Sequence, residues 1–476
     1  MSRFLISAAH KSSGKTTISI GLCAALRARG RVVQPFKKGP DYIDPMWLTL
    51  ASGRPCRNLD FYLMEREAIR DLFGRYAESA DVSLVEGNKG LYDGLELDGS
   101  SSNAALAELL GAPVVLVIDA RGMTRGIAPL ILGYQAFDRN ICIAGVILNN
   151  LGGSRHEGKL RAVIEHYTDV PVLGAVHYDP RLRIVERHLG LMPSNESEVA
   201  TRQVAEFGAL VGAQVDLDKL LQAAEAAPPL AEAAPPLAWN RAAAVANSRP
   251  GQRVRIGLVR DKAFGFYYAD DIDALRAAGA ELVPVDALTD PHLPEVDGLV
   301  IGGGFPELFM AELEANVSLR GEIRSAVEAG LPVYAECGGL MYLARTMTWH
   351  GQTRDMVGII PGDVVMHEKP VGRGYVRLKE TGRSPWQGGR TEWRAHEFHY
   401  SSLENLPEGV EFAYEVVRGH GIDGRHDGIV YKNLLASYTH LRSVGGYDWA
   451  GRFVAFVRDR AATAGDAARM ARLAKP

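Results

Sequence analysis

Ala9-His10-Lys11-Ser12-Ser13-Gly14-Lys15-Thr16-Thr17 follows the short apolar run Phe4–Ser7 and opens onto the amphipathic stretch Thr16–Arg29. A buried strand, a loop ending Gly-Lys-Thr and a helix in that order make a phosphate-binding loop of the pattern G-x-x-x-x-G-K-[ST]. Gly14, Lys15 and Thr16 stand at the pattern positions, and Ala9 replaces its first glycine. Backbone N–H groups at such a helix start cradle phosphate oxygens. Lys15 is placed to neutralise the β- and γ-phosphates of ATP, and the Thr16 hydroxyl to reach Mg²⁺. Ser13 and Thr17 complete the set expected at the nucleotide. A serine-rich helix cap would also contain these residues, but not the strand before them.

Outward from this loop the chain keeps alternating. Val32–Phe36, Ser83–Val85, Val114–Ile118, Ile143–Leu148 and Val172–Ala175 are short, apolar and rich in β-branched residues, with helical patterns such as Ala104–Leu110 between them. The same alternation resumes with Arg255–Val259, Glu281–Val285, Gly298–Ile301 and Val333–Ala335. Short buried strands separated by helices indicate parallel sheets covered on both faces. The fold class expected is therefore α/β, with two doubly wound domains whose active sites lie at the C-terminal strand ends. An Ala/Pro-rich stretch at 223–253, with a near-repeat of A-A-P-P-L-A, reads as a semi-stiff linker. It separates a P-loop, NTPase-like domain at 1–222 from a second domain at 254–476.

Two domains suit 476 residues. A net charge of -4 gives no electrostatic footprint for nucleic acid. Cys23, Cys56, Cys142 and Cys337 are too sparse for a disulfide framework and lack zinc spacing. The apolar N-terminal run is too short for a signal peptide, and no stretch has the length to span a membrane. A cytoplasmic protein is expected.

Carboxylates cluster at strand ends of the first half. Lys37-Lys38-Gly39-Pro40-Asp41-Tyr42-Ile43-Asp44-Pro45 follows one strand, and Glu86-Gly87-Asn88-Lys89-Gly90-Leu91-Tyr92-Asp93-Gly94 follows another. Asp44 and Glu86, with Thr16, are candidate Mg²⁺ ligands beside the P-loop. Lys37, Lys38, Asp41, Asp60, Lys89 and Asp93 are candidate substrate residues. A lone Asp in such a loop is often a turn or helix cap, and Asp60 fits that reading equally well.

In the second half, Val333-Tyr334-Ala335 leads into Glu336-Cys337-Gly338-Gly339 and then a helical pattern. A nucleophile on a sharp strand-to-helix turn needs small neighbours, and the helix start favours a nucleophilic thiolate. Gly303 and Gly304, in Ile301-Gly302-Gly303-Gly304-Phe305, also follow a strand and offer amides for an oxyanion hole. A bare Gly-Gly-Gly turn would look the same. His440 is the candidate base, with His396 and His399 as rivals. His-x-x-His also suits a metal, but no third ligand is evident.

Taken together, Lys37–Pro45, Asn58-Leu59-Asp60, Glu86–Gly94, Val146–Asn149, Arg187–Leu191, Ala335–Gly339 and His396–Ser401 resemble the cobyrinic acid a,c-diamide synthases, over nearly the whole chain. These are glutamine-dependent amidases of tetrapyrrole side chains. The resemblance implies a dethiobiotin-synthetase-like N-terminal domain and a class I glutaminase, with Cys337 as nucleophile and His440 as its partner. It implies that Asn149 contacts adenine, and that Asp41, Asp44, Glu86 and Asp93 line the ATP–Mg²⁺ and carboxylate site. Many class I glutaminases carry a Glu two residues after the His; Arg442 stands there. The P-loop departs from the family's G-T-x-S-G-V-G-K-T. Lys38, and Asn88-Lys89, stand where the family is usually apolar. These departures surround the substrate region, so sirohaem, sirohydrochlorin or a nickel tetrapyrrole is the alternative substrate. Glutamine and a carboxylated tetrapyrrole are the expected partners, a homodimer is compatible, and neither membrane nor nucleic acid is expected. A regulatory P-loop ATPase with a vestigial glutaminase is the non-enzyme alternative, against which the intact Cys337 and His440 argue.

Overall fold

The computed structural model describes residues 1–184, 186–187, 190–195, 199–230, 253–386, 392–444 and 447–473. The chain divides into two compact units, Met1–Pro236 and Leu237–Pro476. The expected linker lies largely at 231–252, outside the described residues, as do His188 and Leu189 of the Arg187–Leu191 motif. The boundary placed at 222 falls inside a helix, Leu217–Glu225, whose Ala224 is buried in the first core. Pro228 is tied to the same unit by a hydrogen bond from the Arg3 guanidinium to its carbonyl.

The first unit holds a seven-stranded sheet of β1 (Arg3–Ala8), β2 (Val33–Lys38), β3 (Arg57–Leu59), β4 (Val82–Glu86), β5 (Val114–Asp119), β6 (Ile143–Leu151) and β7 (Val172–His177). Its order is β3-β2-β4-β1-β5-β6-β7, and every pairing is parallel. β1 is buried along its length, as expected of a central strand covered by helices on both faces. The register sets the chemistry. Ile6 pairs with Glu86, and Glu86 pairs with Lys37. The ends of β1, β2 and β4 therefore deliver the P-loop, the lysine loop and the Glu86 loop to one edge. A short hairpin, β8 (Glu186–Arg187) and β9 (Gly190–Leu191), precedes the helices Ala200–Gly212 and Leu217–Glu225.

The second unit begins with β10 (Val254–Val259), β11 (Phe264–Phe266), β12 (Ala280–Val285), β13 (Gly298–Ile301), β14 (Gly303–Gly304) and β15 (Val333–Glu336). It continues with β16 (Ala344–Trp349), β17 (Gln352–Asp355), β18 (Ile360–Met366), β19 (Gly372–Glu380), β20 (Glu392–His399), β21 (Ser401–Glu404), β22 (Glu411–Arg418), β23 (His426–Tyr431) and β24 (Leu434–Ser437). The main sheet runs β12-β10-β13-β15-β24-β23-β22-β19-β20. Its first five strands are parallel; four of them are those expected from the sequence, and β24 is the fifth. The other four extend it in antiparallel fashion, so this unit is mixed rather than purely parallel. β19 shows why: Val376 and Leu378 are buried while Arg377 is exposed, the alternation of a half-covered antiparallel strand. A separate four-stranded sheet has the order β17-β16-β18-β21. Among the described residues no helix is long and apolar enough to cross a membrane.

Candidate active site

In the first unit, the helix Lys15–Ala28 starts directly from Gly14, which has φ 88°. The Thr16 hydroxyl, on its first turn, donates to Glu86 Oε1 at 2.7 Å and to Asp44 Oδ2 at 3.2 Å. Lys37 Nζ lies between the same two acids, 2.5 Å from Asp44 Oδ2 and 2.9 Å from Glu86 Oε1, with Asp41 Oδ2 at 3.8 Å. Burial alone would lower the Lys37 pKa, but the charges of Asp44, Glu86 and Asp41 lift it well above its ordinary value. Burial raises the Glu86 carboxyl, with Lys37 opposing. It also pushes Asp41 up to about 7, helped by the charge of Asp44. Lys15 is pulled down by burial, with Glu86 opposing.

This constellation fits a hard divalent cation. Thr16, Asp44 and Glu86 bring oxygen donors to one point where an ammonium group sits, and the second Glu86 oxygen, Oε2, is buried without a hydrogen-bond partner. Mg²⁺ is commonly held by one or two carboxylates plus substrate phosphates. No larger His/Cys/Asp/Glu cluster that could hold a metal occurs among the described residues.

The other expected residues separate. Lys38 is buried and donates to Asn88 Oδ1 at 3.1 Å. Burial, with Lys89 and Lys37 adding to it and Asp60 opposing, brings its pKa to about 8. Lys89 is exposed, at φ 45°. Asp60 Oδ1 accepts from the N–H groups of Tyr62 and Leu63, the geometry of a turn cap. Asp93 is exposed and accepts from the Gly90 N–H. Asn149 Nδ2 donates to the Ser13 carbonyl at 2.9 Å, holding the P-loop backbone. Ser12, Gly14, Thr17 and Asn149 line a cavity of about 650 Å³ together with Asn150, His177, Tyr178, Asp179 and Arg183. The sequence reading did not single out these last five. Asn150 and His177 lie at the ends of β6 and β7 and the other three follow β7, and their position at strand ends was the available signal.

In the second unit, Cys337 sits between β15 and the helix Gly338–Leu343 with φ 49° and ψ -103°. A non-glycine residue at such angles is strained and persists only where its surroundings hold it. They do so here. The Cys337 N–H donates to the Ser437 carbonyl at 2.7 Å, and the following helix is wholly buried. Truncating a buried Leu such as Leu340 costs about 2–5 kcal/mol, so the core anchors the turn. Close packing explains two of its glycines. A Cβ on Gly339 would lie 2.3 Å from the Ile301 carbonyl oxygen, and one on Gly304 would lie 1.9 Å from that of Ala263. Gly303 abuts the His440 ring, and Gly338 packs against the Gly304 nitrogen, so the Gly-Gly-Gly loop borders both Cys337 and His440.

His440 is the histidine that joins Cys337. Its Nδ1 lies 3.4 Å from Glu336 Oε2, and its ring borders Gly303. Burial would depress its pKa, but the neighbouring Cys337 and Glu336 outweigh burial and raise it to about 10. His396 lies behind it, stacked at 4.9 Å, and burial, reinforced by His440 and Arg442, lowers its pKa well below the ordinary value. His399 stacks on Tyr438 at 3.9 Å. Arg442 is turned to Asp270 Oδ2, 2.6 Å away.

Residues 5–191 match the CobQ/CobB/MinD/ParA nucleotide binding domain, and residues 255–445 match the CobB/CobQ-like glutamine amidotransferase domain. A nucleotide-binding unit joined to a glutamine amidotransferase unit defines a glutamine-hydrolysing, ATP-dependent carbon–nitrogen ligase. The chain is 48% identical to a cobyrinate a,c-diamide synthase of Magnetococcus marinus, over 96% of this chain and 97% of the relative. It is 45% identical to the protein of that name in Methanosarcina acetivorans, over 95% and 94% of the two chains. It is 42% identical to the one in Archaeoglobus fulgidus, over 95% and 96%. The chain belongs to the cobyrinate a,c-diamide synthase family.

Proposed function

We propose that the chain amidates the a and c acetate side chains of a corrinoid, cobyrinic acid, using ATP and glutamine-derived ammonia. The supporting observation is the meeting of Thr16, Lys37, Asp44 and Glu86 beside Lys15 on one sheet edge, in a chain whose relatives carry that synthase name. ATP lies with its phosphates on Gly14–Thr17 and its base toward Asn149 and the cavity residues. Thr16, Asp44 and Glu86 would hold Mg²⁺, which would neutralise phosphate charge. Lys15 and Lys37 offset the remaining negative charge as a substrate carboxylate attacks the γ-phosphate. The product is an acyl phosphate with a good leaving group. Asp41 and Asp93 line the carboxylate side. Catalysis here is positioning and charge neutralisation.

At the other site Cys337 attacks the glutamine amide carbon, His440 passes a proton to the departing ammonia, the Gly303 and Gly304 amides stabilise the oxyanion, and water then hydrolyses the thioester to release glutamate and restore the thiol. Ammonia then displaces phosphate from the acyl phosphate. Product mass spectrometry on cobyrinic acid, sirohaem and sirohydrochlorin tests the reading. Cobyrinic acid is expected to gain two amides, with glutamate and ADP formed in step with each. Amidation of sirohaem or sirohydrochlorin in its place would replace the substrate assignment and leave the reaction class standing.

Lys38 and Lys89 supply the second prediction. A cation beside a polycarboxylate adds attraction that salt weakens. The double change Lys38→Val with Lys89→Met is expected to raise the tetrapyrrole KM about fivefold, the equivalent of ~1 kcal/mol, and to spare glutamine hydrolysis. Lys38 is charged below its pKa of about 8 and neutral above it, so its share of the attraction fades as pH rises through 8. Steady-state KM on cobyrinic acid and sirohaem, at low and high salt and across that pH range, reads both effects. An unchanged KM under all these conditions removes the lysines from substrate recognition.

A further inference from the structure

The position two residues beyond His440 holds Arg442, a cation turned away to Asp270. An imidazole that must accept a thiol proton and return it still needs a partner that fixes its tautomer and supports its charged form. Glu336, the residue immediately before the nucleophile, has the required geometry. Its carboxylate has two differently used oxygens. Oε1 accepts from the Leu441 N–H at 2.8 Å and from the Tyr334 hydroxyl. Oε2 lies 3.4 Å from His440 Nδ1. The Glu336 side chain is 9% exposed and that of His440 3%, so little water intervenes to screen them.

We propose that Glu336 is the positioning carboxylate of the Cys337–His440 pair. It is presented from the nucleophile's own strand, in place of a carboxylate beyond the histidine. The β15–β24 register places Glu336 opposite Ser437, three residues before His440. Leu441 and Tyr334 clamp one oxygen so that the other faces the ring. With its proton kept on Nδ1, His440 presents Nε2 as its basic nitrogen. Glu336 thus acts through His440 and does not touch glutamine.

The other charged or titratable groups around the ring do not substitute for it. His396, stacked on its face from β20, is driven neutral by burial and by the positive groups beside it. Tyr268 contacts His396 through its hydroxyl, and Arg442 lies over the Tyr268 ring. Asp270 is paired with Arg442, and Asp271 accepts from the Ser443 N–H. Tyr334 is engaged with Glu336 itself.

The inference rests on Cys337 being the nucleophile, which is tested separately by Cys337→Ser. Its own test is the pH dependence of Cys337 alkylation by iodoacetamide in the full-length protein, alongside glutamine kinetics. Glu336 stabilises the imidazolium, which in turn stabilises the thiolate. Removing its charge with Glu336→Gln is expected to move the rising limb of alkylation upward by about one pH unit or more, the effect of an opposite charge within ~4–6 Å. The new amide N–H₂ faces Nδ1 and favours the proton on Nε2, so kcat for glutamine is expected to fall roughly 10²-fold or more with little change in KM. Glu336→Asp retains the charge and is expected to restore part of both effects. A misfolded fraction would lower the alkylation amplitude and leave the midpoint in place. An unmoved midpoint in Glu336→Gln overturns the proposal. Should that variant not fold, nitrogen-15 histidine labelling of the unaltered protein decides. A His440 Nδ1–H resonance downfield of the amide region is expected, and a His440 ring protonated only on Nε2 at neutral pH overturns the proposal.

Discussion

Replacing Cys337 by serine is expected to lower glutamine-dependent amidation roughly 10³-fold or more, as loss of a covalent nucleophile does. Amidation with a high concentration of ammonium salt should stay within a few-fold of the unaltered protein. The two outcomes part because ammonia bypasses the thioester step only. Serine preserves the side-chain size at a position whose φ of 49° already excludes most alternatives, so the turn itself should persist. The assay compares tetrapyrrole amide and glutamate formed with each nitrogen donor. Equal loss with both donors would remove Cys337 from the glutaminase step.

Lys15→Ala is expected to abolish amidation with either donor, by roughly 10²–10³-fold, the scale for deleting one preorganised charge at a reacting group. Lys15 is 7% exposed and lies in the field of Glu86, Asp44 and Asp93. Its removal leaves those acids with less positive charge to offset them and the phosphates with one fewer cation. ADP release and ammonia-dependent amidation should fall together, and saturating ATP should not restore them. Ammonia-dependent turnover retained at saturating ATP would show that another group serves the phosphates.

The parts of this molecule legible in its sequence share one property: their signal is local. β1, the P-loop and its helix are contiguous, and each carries its own period or turn residues. The Cys337 turn is equally compact, since Glu336, Gly338 and Gly339 flank it directly. The antiparallel strands β19 and β22 were not legible, because many of their side chains face outward and their apolar residues are diluted by Arg, Lys and Glu. Gln352–Asp355 is a strand with no apolar residue at all. In the same way Lys37 could be placed beside a P-loop, but its position between Asp44 and Glu86 follows from a β2–β4 register that no single stretch encodes. Asp60 shows the opposite case: its turn-capping bonds to Tyr62 and Leu63 were implicit in its local context.

The pairing of β15 with β24 has a consequence for biosynthesis. Glu336 and Leu441, bonded across that joint, are 105 residues apart in the chain, and everything from β16 to β23 lies between them. Such a contact closes late, because the entropy of ordering a long intervening loop must be met before the contact forms. A ribosome-bound chain that has exposed Cys337 but not His440 therefore holds the proposed nucleophile without its proposed base. On the roles proposed above, glutamine hydrolysis should begin only when the segment after β24, which carries His440, docks.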